Sequence, residues 1–308
     1  MSRSTEKVLK QAISFIQQQA ENKDLSTEEM NPLLQQFMAK QNQALQEEES
    51  EPDVYDYLEL ADQATTKKKK REYLEKAKEI APGDLDVLLQ LLLLDQPKDP
   101  VECLKKFEEL LAKGKADLMK DGTYSESRGM FWGVFETRPY MRVMGNYMDV
   151  LIRYGMYSKA VSVGQEMMKL CTNDNLGIRY QLMCLYTRLE DKSHALKLAR
   201  QFKEELTYSS RFLLPLAILS FKVGDFDKAK EYVMTLKEEN PDFKKFVTLV
   251  VWKHWFKIPS SGYAYQPGTM EELAIVMEDP TDLVYDNPAF FNWTKALMVD
   301  RRKSQGKK

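Results

Sequence analysis

Three alanines recur along the second half of the chain at a nearly constant spacing, and this recurrence limits the possible folds more than any other sequence feature. Ala160, Ala195 and Ala229 are separated by 35 and 34 residues. Gly155 and Gly224 each precede one of these alanines by five residues. A glycine suits the positive φ of a turn between antiparallel helices, and an alanine lets the second helix approach the first closely. Each unit is therefore predicted to be a helix–turn–helix.

The sequences around these alanines resemble the tetratricopeptide repeat (TPR) family. The three segments are YGMYSKAVSVGQEMMKL, LEDKSHALKLARQF and VGDFDKAKEYVMTLKEENP. Pro241 stands twelve residues after Ala229, where the family has a closing proline. The resemblance implies an all-α fold, a TPR-like alpha-alpha superhelical solenoid of antiparallel helix pairs.

Two earlier helix pairs fit the same length but depart from the family pattern. The segment VYDYLELADQATTKKKKREYLEKAKEIAP ends at Pro82, and Lys70 stands where the family has alanine. The following pair has Leu104 at that position. Two later units have threonine in place of the closing proline, at Thr172 and Thr207.

A second resemblance covers most of the chain, from about residue 5 to about residue 300. The strings ETRPYMR, NDNLGIRY and GYAYQPGTMEELAIVM are similar to those of an uncharacterised family of bacterial TPR-containing proteins. This resemblance implies a bacterial source. It implies no activity, because none is established for that group.

The other segments complete a predicted domain organisation. In chain order, it has N-terminal capping helices (1–45), an acidic linker (46–53), the first TPR-like helix pairs (54–113), an aromatic elbow (114–140), three TPR-like repeats (141–243), degenerate C-terminal helices (244–300) and a basic tail (301–308). A loosely attached tail is the alternative for the first segment. The run FKKFVTLVVWKHWFKI is ambiguous, since its β-branched residues suit a strand, but a helix is the simpler prediction in a repeat array.

Local signals predict several helix starts. Ser26 with Glu29 matches a capping box, and Thr269 with Glu272 matches another. Two further pairs combine a cap with a proline in the first turn, namely Thr137 with Pro139 and Asn287 with Pro288.

The segment from Gly114 to Arg142 is predicted to begin as a loop and then to become aromatic. Its aromatic residues are predicted to pack as an elbow, with a ligand platform as the alternative. They are Phe131, Trp132, Phe135 and Tyr140.

Charge, cysteine content and hydropathy narrow the class of protein. Lys and Arg number 45 against 47 Asp and Glu, which argues against a dedicated polyanion binder. Three scattered cysteines fit a reducing compartment. The N-terminus has no apolar signal core, and no apolar run approaches the length of a membrane span. We expect a cytoplasmic protein with no membrane partner.

The sequence contains no recognisable catalytic or metal-binding motif. We therefore expect that the protein is not an enzyme and binds no cofactor. The chain has two histidines, and neither lies in a metal-ligand or nucleophile motif. His194 is predicted to lie in an exposed inter-helix turn, and His254 to be a partly packed helix residue.

The TPR resemblance implies that the first helix of each pair lines a concave groove. Transferring that geometry nominates residues on three first helices, namely Arg142, Asn146, Asp149, Arg153, Tyr180, Gln181, Cys184, Arg188, Arg211, Ile218 and Lys222. The set is basic, which favours a protein or peptide partner, with an acidic peptide or a free C-terminal carboxylate as its chemistry. The paired lysines and asparagines of the family's carboxylate clamp are not reproduced. Internal ion pairs of these arginines are an equally weighted alternative.

The expected function is therefore non-catalytic protein–protein interaction, with a peptide or protein segment bound in the groove. Reversing the charge of Arg142 and Arg188 together should abolish capture of the partner while leaving helicity unchanged. Two other functions stay open. One is a nucleic-acid-associated accessory factor using the lysine run at 67–71 and the basic tail, although the balanced charge makes nucleic acid the less expected partner. The other is a peptide-gated regulatory sensor. The sequence leaves the oligomeric state undetermined.

Overall fold

A computed structural model describes residues 3–19, 27–47, 52–260 and 265–298. The described residues are all-α, with sixteen α-helices, three short 3-10 helices and no strand. The chain divides into two compact units, Met1–Met144 and Gly145–Lys308. None of the described helices is both long and apolar enough to cross a bilayer.

The helices of the first unit cover the predicted N-terminal helices, the first helix pairs and the elbow. They are α1 (Arg3–Gln19), α2 (Thr27–Glu47), α3 (Val54–Gln63), α4 (Lys67–Ile80), α5 (Leu85–Leu94), α6 (Pro100–Lys120) and α7 (Thr123–Glu126), followed by a 3-10 helix (Phe135–Thr137).

The next helix, α8 (Arg138–Arg153), contains the division between the units. The helices of the second unit are α9 (Tyr157–Leu170), α10 (Ile178–Arg188), α11 (Lys192–Gln201), α12 (Ser210–Lys222), α13 (Phe226–Glu239), α14 (Phe243–Val251), α15 (Met270–Met277) and α16 (Pro288–Leu297), with 3-10 helices at Lys203–Thr207 and Trp255–Lys257.

One turn geometry ends α8, α10, α12 and α14. In the first of these turns, the Met156 amide donates to the Leu151 carbonyl (2.8 Å) and the Gly155 amide to the Ile152 carbonyl (2.9 Å). This pair of bonds is the Schellman motif, whose C′ residue has positive φ. The four C′ residues and their φ values are Gly155 (72°), Glu190 (57°), Gly224 (78°) and Lys253 (58°). Glu190 stands five residues before Ala195, so the middle unit makes the same turn without glycine.

The repeat alanines are buried where second helices begin. Ala160, Ala195 and Ala229 each have 0% exposure. Gly164 marks another close approach, because a Cβ there would lie 2.9 Å from Leu182 Cδ2 and 3.0 Å from Met148 Cε. Small residues thus set the distance between neighbouring helices of the second unit.

The first unit has a core of its own between α3, α4 and α5. It contains Leu58, Ala61, Leu74, Ala77 and Val87. The predicted N-terminal helices exist, and α1 packs on α3, with Lys7 Nζ 2.8 Å from Asp56 Oδ1. Ser26, residues 48–51 of the acidic linker and the basic tail lie outside the described residues.

The prediction that Gly114 begins a loop is wrong, because α6 continues to Lys120. Gly114 instead permits close packing, since a Cβ there would lie 2.6 Å from Leu85 Cδ1 and 3.0 Å from Tyr140 Cδ2. The elbow aromatics pack inside the first unit: Phe131 and Tyr140 are buried around Tyr124, while Trp132 and Phe135 flank the Arg138 guanidinium.

Three predicted caps are wrong in their hydrogen bonds, although the helices begin within one residue of the predicted starts. The Thr137 hydroxyl donates to the Val134 carbonyl (2.9 Å), and the Asn287 amide donates to the Leu283 carbonyl (2.7 Å). Glu272 is 1% exposed and accepts from the amides of Ser210 and Gly268 (both 3.0 Å), so it caps α12 rather than forming a box with Thr269. These side chains form hydrogen bonds with neighbours that the sequence pattern does not identify.

The ambiguous run after Pro241 is helical over α14. His254 is not a helix residue, however, because the helix ends at Val251 and the Lys253 turn follows. His194 lies in the first turn of α11, and its side chain is about half exposed (51%).

Candidate functional site

Arg142, the first predicted groove residue, forms a buried ion pair within the first unit. Its Nε and Nη2 donate to the two carboxylate oxygens of Asp86 at 2.7 Å and 2.5 Å. Its Nη1 lies 3.3 Å from Glu6 Oε2. Asp86 and Glu6 are 3% and 5% exposed, so Arg142, with Arg138 Nη1 3.5 Å from Glu6, neutralises two carboxylates that have little access to water.

The other predicted residues of α8 differ in their surroundings. Asn146 is half-buried, and Arg153 is exposed. The Asp149 carboxylate accepts a hydrogen bond from Gln181 Nε2 (2.8 Å). Burial raises the pKa of Asp149, and the Gln181 hydrogen bond and the Arg153 charge oppose this shift. Gln181 therefore serves as an internal partner of Asp149.

Tyr180 and Arg211 belong to one polar cluster of the second unit. The Arg211 guanidinium lies 3.7 Å from the centroid of the Tyr180 ring, and its Nη1 lies 3.4 Å from Tyr265 Oη. The Tyr180 hydroxyl donates to Glu205 Oε1 (2.8 Å). Burial, followed by this hydrogen bond, raises the pKa of Tyr180.

The chain's own C-terminal segment also contacts α10. Arg188 forms an ion pair with Asp286. The Cys184 thiol and the Asp279 carboxylate interact, and burial raises the pKa of both groups. Leu283, between the two aspartates, has 0% exposure. The buried Leu283 side chain holds this segment in place. Its Asp286 carboxylate therefore occupies the position that a carboxylate of an acidic ligand would take at Arg188.

Three further predicted groove residues, Cys184, Ile218 and Lys222, are buried or hydrogen-bonded within the protein. Cys184 and Ile218 are 4% and 0% exposed, so neither presents a surface to a ligand. Lys222 Nζ donates to the Thr187 carbonyl (3.2 Å) at the end of α10, where a cation is favoured by the helix dipole. Internal ion pairs, the alternative for these arginines, are present at Arg142 and Arg188, whereas Arg211 contacts the side chains of Tyr180 and Tyr265.

A pocket on the second unit stays open to solvent between α9, α10 and α11. Its volume is about 390 Å³, within the range of small-ligand pockets. Leu182, Leu198 and Met168 supply its apolar surface. The polar and aromatic groups around them are Gln165, Lys169, Thr172, Tyr186, His194, Lys197 and Gln201.

Hydrogen bonds hold the pocket's polar groups in place. Gln165 Nε2 donates to Tyr186 Oη (3.1 Å), and the His194 ring stacks on the Tyr186 ring with 5.6 Å between centroids. Asp191 caps α11 by accepting from the His194 amide (3.0 Å), and its second oxygen lies 2.6 Å from His194 Nδ1. Burial raises the pKa of the Tyr186 hydroxyl, which stays protonated at neutral pH.

Two lysines give the pocket rim a positive charge. Lys197 is exposed and forms no ion pair within the described part of the chain. Lys169 is exposed as well and lies 3.4 Å from Glu166 on the same helix, a contact that contributes little at the surface. An apolar floor beneath two cations suits a peptide segment that combines an aliphatic side chain with a carboxylate.

The sequence did not identify this pocket, because the family geometry directs attention to first helices. Lys169 and Gln165 lie on α9, and Lys197 and Gln201 lie on α11, which are second helices of their pairs. A signal was present: α9 and α11 each carry a lysine and a glutamine one turn apart near the C-terminal end.

The lysine run of α4 has a different character. Lys70 lies 4.0 Å from Asp62, and Arg71 pairs with Asp95. Among the described residues, no group of three or more His, Cys, Asp or Glu side chains is arranged to hold a metal ion.

Comparison with known proteins finds no match to a family model, to a curated protein or to a solved structure.

Proposed function

We propose that this protein is a non-catalytic, TPR-like interaction protein that binds an acidic peptide or protein segment at the pocket between α9, α10 and α11. The observation that carries the proposal is the pairing of Lys169 and Lys197 with an apolar floor in an open cavity of about 390 Å³. The lysines would attract and orient a carboxylate, and the floor would bury an aliphatic side chain of the ligand.

Membership of the TPR family is part of the proposal. Four Schellman turns follow one another at 35, 34 and 29 residues, and three of them precede fully buried alanines. Repeated turns of this kind are typical of stacked helical hairpins. A cytoplasmic location is proposed with it, since all three cysteines are buried free thiols.

The pocket replaces the predicted groove as the preferred binding site for a physical reason. Arg142, Arg188 and Arg211 already have internal partners, whereas Lys197 has none among the described residues. Reversing Arg142 would place three carboxyl groups together in a buried region. Loss of capture in the Arg142/Arg188 double variant would therefore report misfolding as much as lost recognition.

Selection from a phage-displayed random peptide library tests the proposal. Selected peptides should contain Asp or Glu next to an aliphatic residue, and synthetic copies should bind the wild-type chain in isothermal titration calorimetry. The double variant Lys169→Glu/Lys197→Glu should bind them roughly tenfold more weakly or worse, because attraction becomes repulsion.

The matched control is Lys67→Glu/Lys68→Glu, which makes the same change of charge on the exposed start of α4. The control should bind the peptides as the wild type does. Equal weakening in both double variants, or selected peptides without carboxylates, would contradict the proposal.

A further inference from the structure

An exposed ridge of aromatic rings follows α14. Phe256 is 80% exposed and Trp252 is 57% exposed. The His254 ring links them, with centroids 6.0 Å from Trp252 and 5.8 Å from Phe256. Exposed rings in contact with one another form a larger apolar surface than isolated exposed residues, and such surfaces mark interaction sites.

Lysines surround this ridge, and carboxylates are missing from the segment that carries it. Residues 243–270 contain four lysines and no Asp or Glu. Lys253 and Lys257 are exposed within the ridge, and Lys295 Nζ of α16 lies 4.6 Å from the Trp252 ring. Lys244 and Lys245 line a hollow together with Trp252.

Two carboxylates adjoin this segment, Asp242 directly before it and Asp286 next to the Tyr285 ring that contacts Trp255, and both have partners within the protein. Asp242 accepts from the Met270 amide (3.2 Å), and Asp286 pairs with Arg188. The ridge is therefore a positively charged surface with protruding apolar rings, whereas the whole chain has a formal charge of -2. Its complement is an anionic surface that accepts hydrocarbon.

We propose that this ridge binds the interface of a membrane that contains anionic lipid, with Trp252 and Phe256 inserted at the headgroup level and the lysines held at the anionic surface. Trp is enriched at membrane interfaces, and basic residues add attraction to anionic lipid. We expected no membrane partner because the sequence contains no apolar run long enough to span a bilayer. This surface would instead bind one face of the bilayer without crossing it.

The ring geometry favours a membrane over single-stranded nucleic acid. Base stacking needs accessible ring faces arranged along a strand. Here the Trp252 and His254 planes are inclined by 67°, the His254 and Phe256 planes by 53°, and Lys295 lies over the Trp252 ring. Insertion into a lipid interface requires no such alignment.

Co-sedimentation of the full chain with vesicles tests the proposal. The protein should sediment with phosphatidylcholine vesicles that contain phosphatidylserine, and far less with phosphatidylcholine alone. Added salt should weaken the binding. Tryptophan emission should shift to shorter wavelength when the anionic vesicles are added, a readout that requires no variant.

Two variants locate the contact. Phe256→Ser should reduce vesicle binding roughly tenfold or more, because it removes the most exposed ring. Lys253→Glu/Lys257→Glu should reduce it by more than about 20-fold, given about fivefold per lysine. Lys67→Glu/Lys68→Glu, with the same change of charge on α4, and Lys169→Glu/Lys197→Glu, at the peptide pocket, should both sediment as the wild type does. Urea midpoints verify that each variant is folded.

Three results would overturn the inference. One is failure of the wild type to sediment with the anionic vesicles. Another is an equal loss of binding in the α4 control. The third is tight binding of a mixed-sequence single-stranded oligonucleotide that is lost in the Phe256 and Lys253/Lys257 variants while vesicle binding stays unchanged, which would assign the ridge to nucleic acid.

Discussion

The two units of this protein hold their antiparallel helices together in different ways. In the second unit, one Schellman turn recurs at Gly155, Glu190 and Gly224, and a fully buried alanine follows each turn. In the first unit, the hairpin turns within α3–α4 and α5–α6 contain no residue of positive φ among those described. Lysine and leucine stand at the corresponding alanine positions, Lys70 and Leu104.

Ion pairs between elements occur in both units, and in the first unit Lys70 itself lies 4.0 Å from Asp62 of α3. Lys7 pairs with Asp56, Arg71 with Asp95, and Arg142 with Asp86 and Glu6. A long side chain prevents close approach of two backbones, but its charged end can reach a carboxylate on the next helix. The comparison teaches that a helix pair can keep its length when a long side chain replaces the small residue of the repeat.

The largest effect that we expect is from Arg142→Ala. The variant leaves Asp86 buried without the Arg142 cation, while Glu6 keeps Arg138 Nη1 at 3.5 Å, so it should lower the free energy of unfolding by about 3 kcal/mol. Urea denaturation followed by circular dichroism measures the loss, and amide hydrogen exchange should place it in the first unit. Arg71→Ala, whose partner Asp95 is exposed, should change stability little. Similar losses in both variants would remove the distinction between buried and exposed pairs.

A smaller effect is expected from Ala195→Leu. The added methyl groups have no space against α10, so the variant should cost about 1–3 kcal/mol of unfolding free energy. Lys70→Leu puts the same side chain at the corresponding position of the first unit, where the lysine is 28% exposed, and should change stability by less than about 0.5 kcal/mol. If the two variants were equally destabilised, the units would not differ in helix approach.

Opposite substitutions at two of the Schellman turns should change stability in opposite directions. Gly224→Ala puts a Cβ on a residue with φ of 78° and should lower stability by about 1 kcal/mol. Glu190→Gly relieves the same strain at φ of 57° and should raise stability by about 0.5 kcal/mol, after loss of the exposed Lys222 contact. Thermal denaturation of both variants gives the signs, and two changes of the same sign would contradict a shared turn geometry.

The smallest effect concerns charge in the second unit. Burial holds the pKa of Asp149 above its ordinary value of 3.8, so the folded chain binds more protons than the unfolded chain between those two pKa values. Stability should therefore fall as pH rises through that window and stay lower at neutral pH. Asp149→Asn should be slightly more stable than the wild type at pH 7, because its amide oxygen still accepts from Gln181. Urea unfolding across this pH range gives the difference, which should vanish below pH 3.8. A difference independent of pH would show that Asp149 does not titrate as its burial predicts.

Much of the helical architecture was predictable because it follows from local signals. The all-α class, the turns at Gly155 and Gly224, and the buried alanines Ala160 and Ala195 all appear in the structure as predicted. Gly114 shows where local signals fail, since a glycine can mark a loop or a close contact, and only the neighbouring Leu85 distinguishes them. The predicted capping box of Thr269 with Glu272 is wrong for a related reason, because the Glu272 partner Ser210 is 62 residues away.

The candidate site was less predictable than the helices. Arg142 and Arg188 were nominated from their place on first helices, yet Asp86 and Asp286 lie 56 and 98 residues away in sequence. No local pattern reveals such pairs. Lys197 gave no signal by itself, because an exposed lysine on a helix is ordinary until an apolar pocket lies beside it.

The sequence by itself determined which segments are helices and how most of them are joined, because helix propensity, turn conformation and the spacing of small residues act over a few residues of chain. Tertiary structure alone decided which charged side chains form internal contacts and which remain accessible to a ligand. That outcome depends on burial and on partners far apart in the chain. For this reason Arg188 pairs with Asp286, whereas Lys197, Phe256 and Lys257 face solvent.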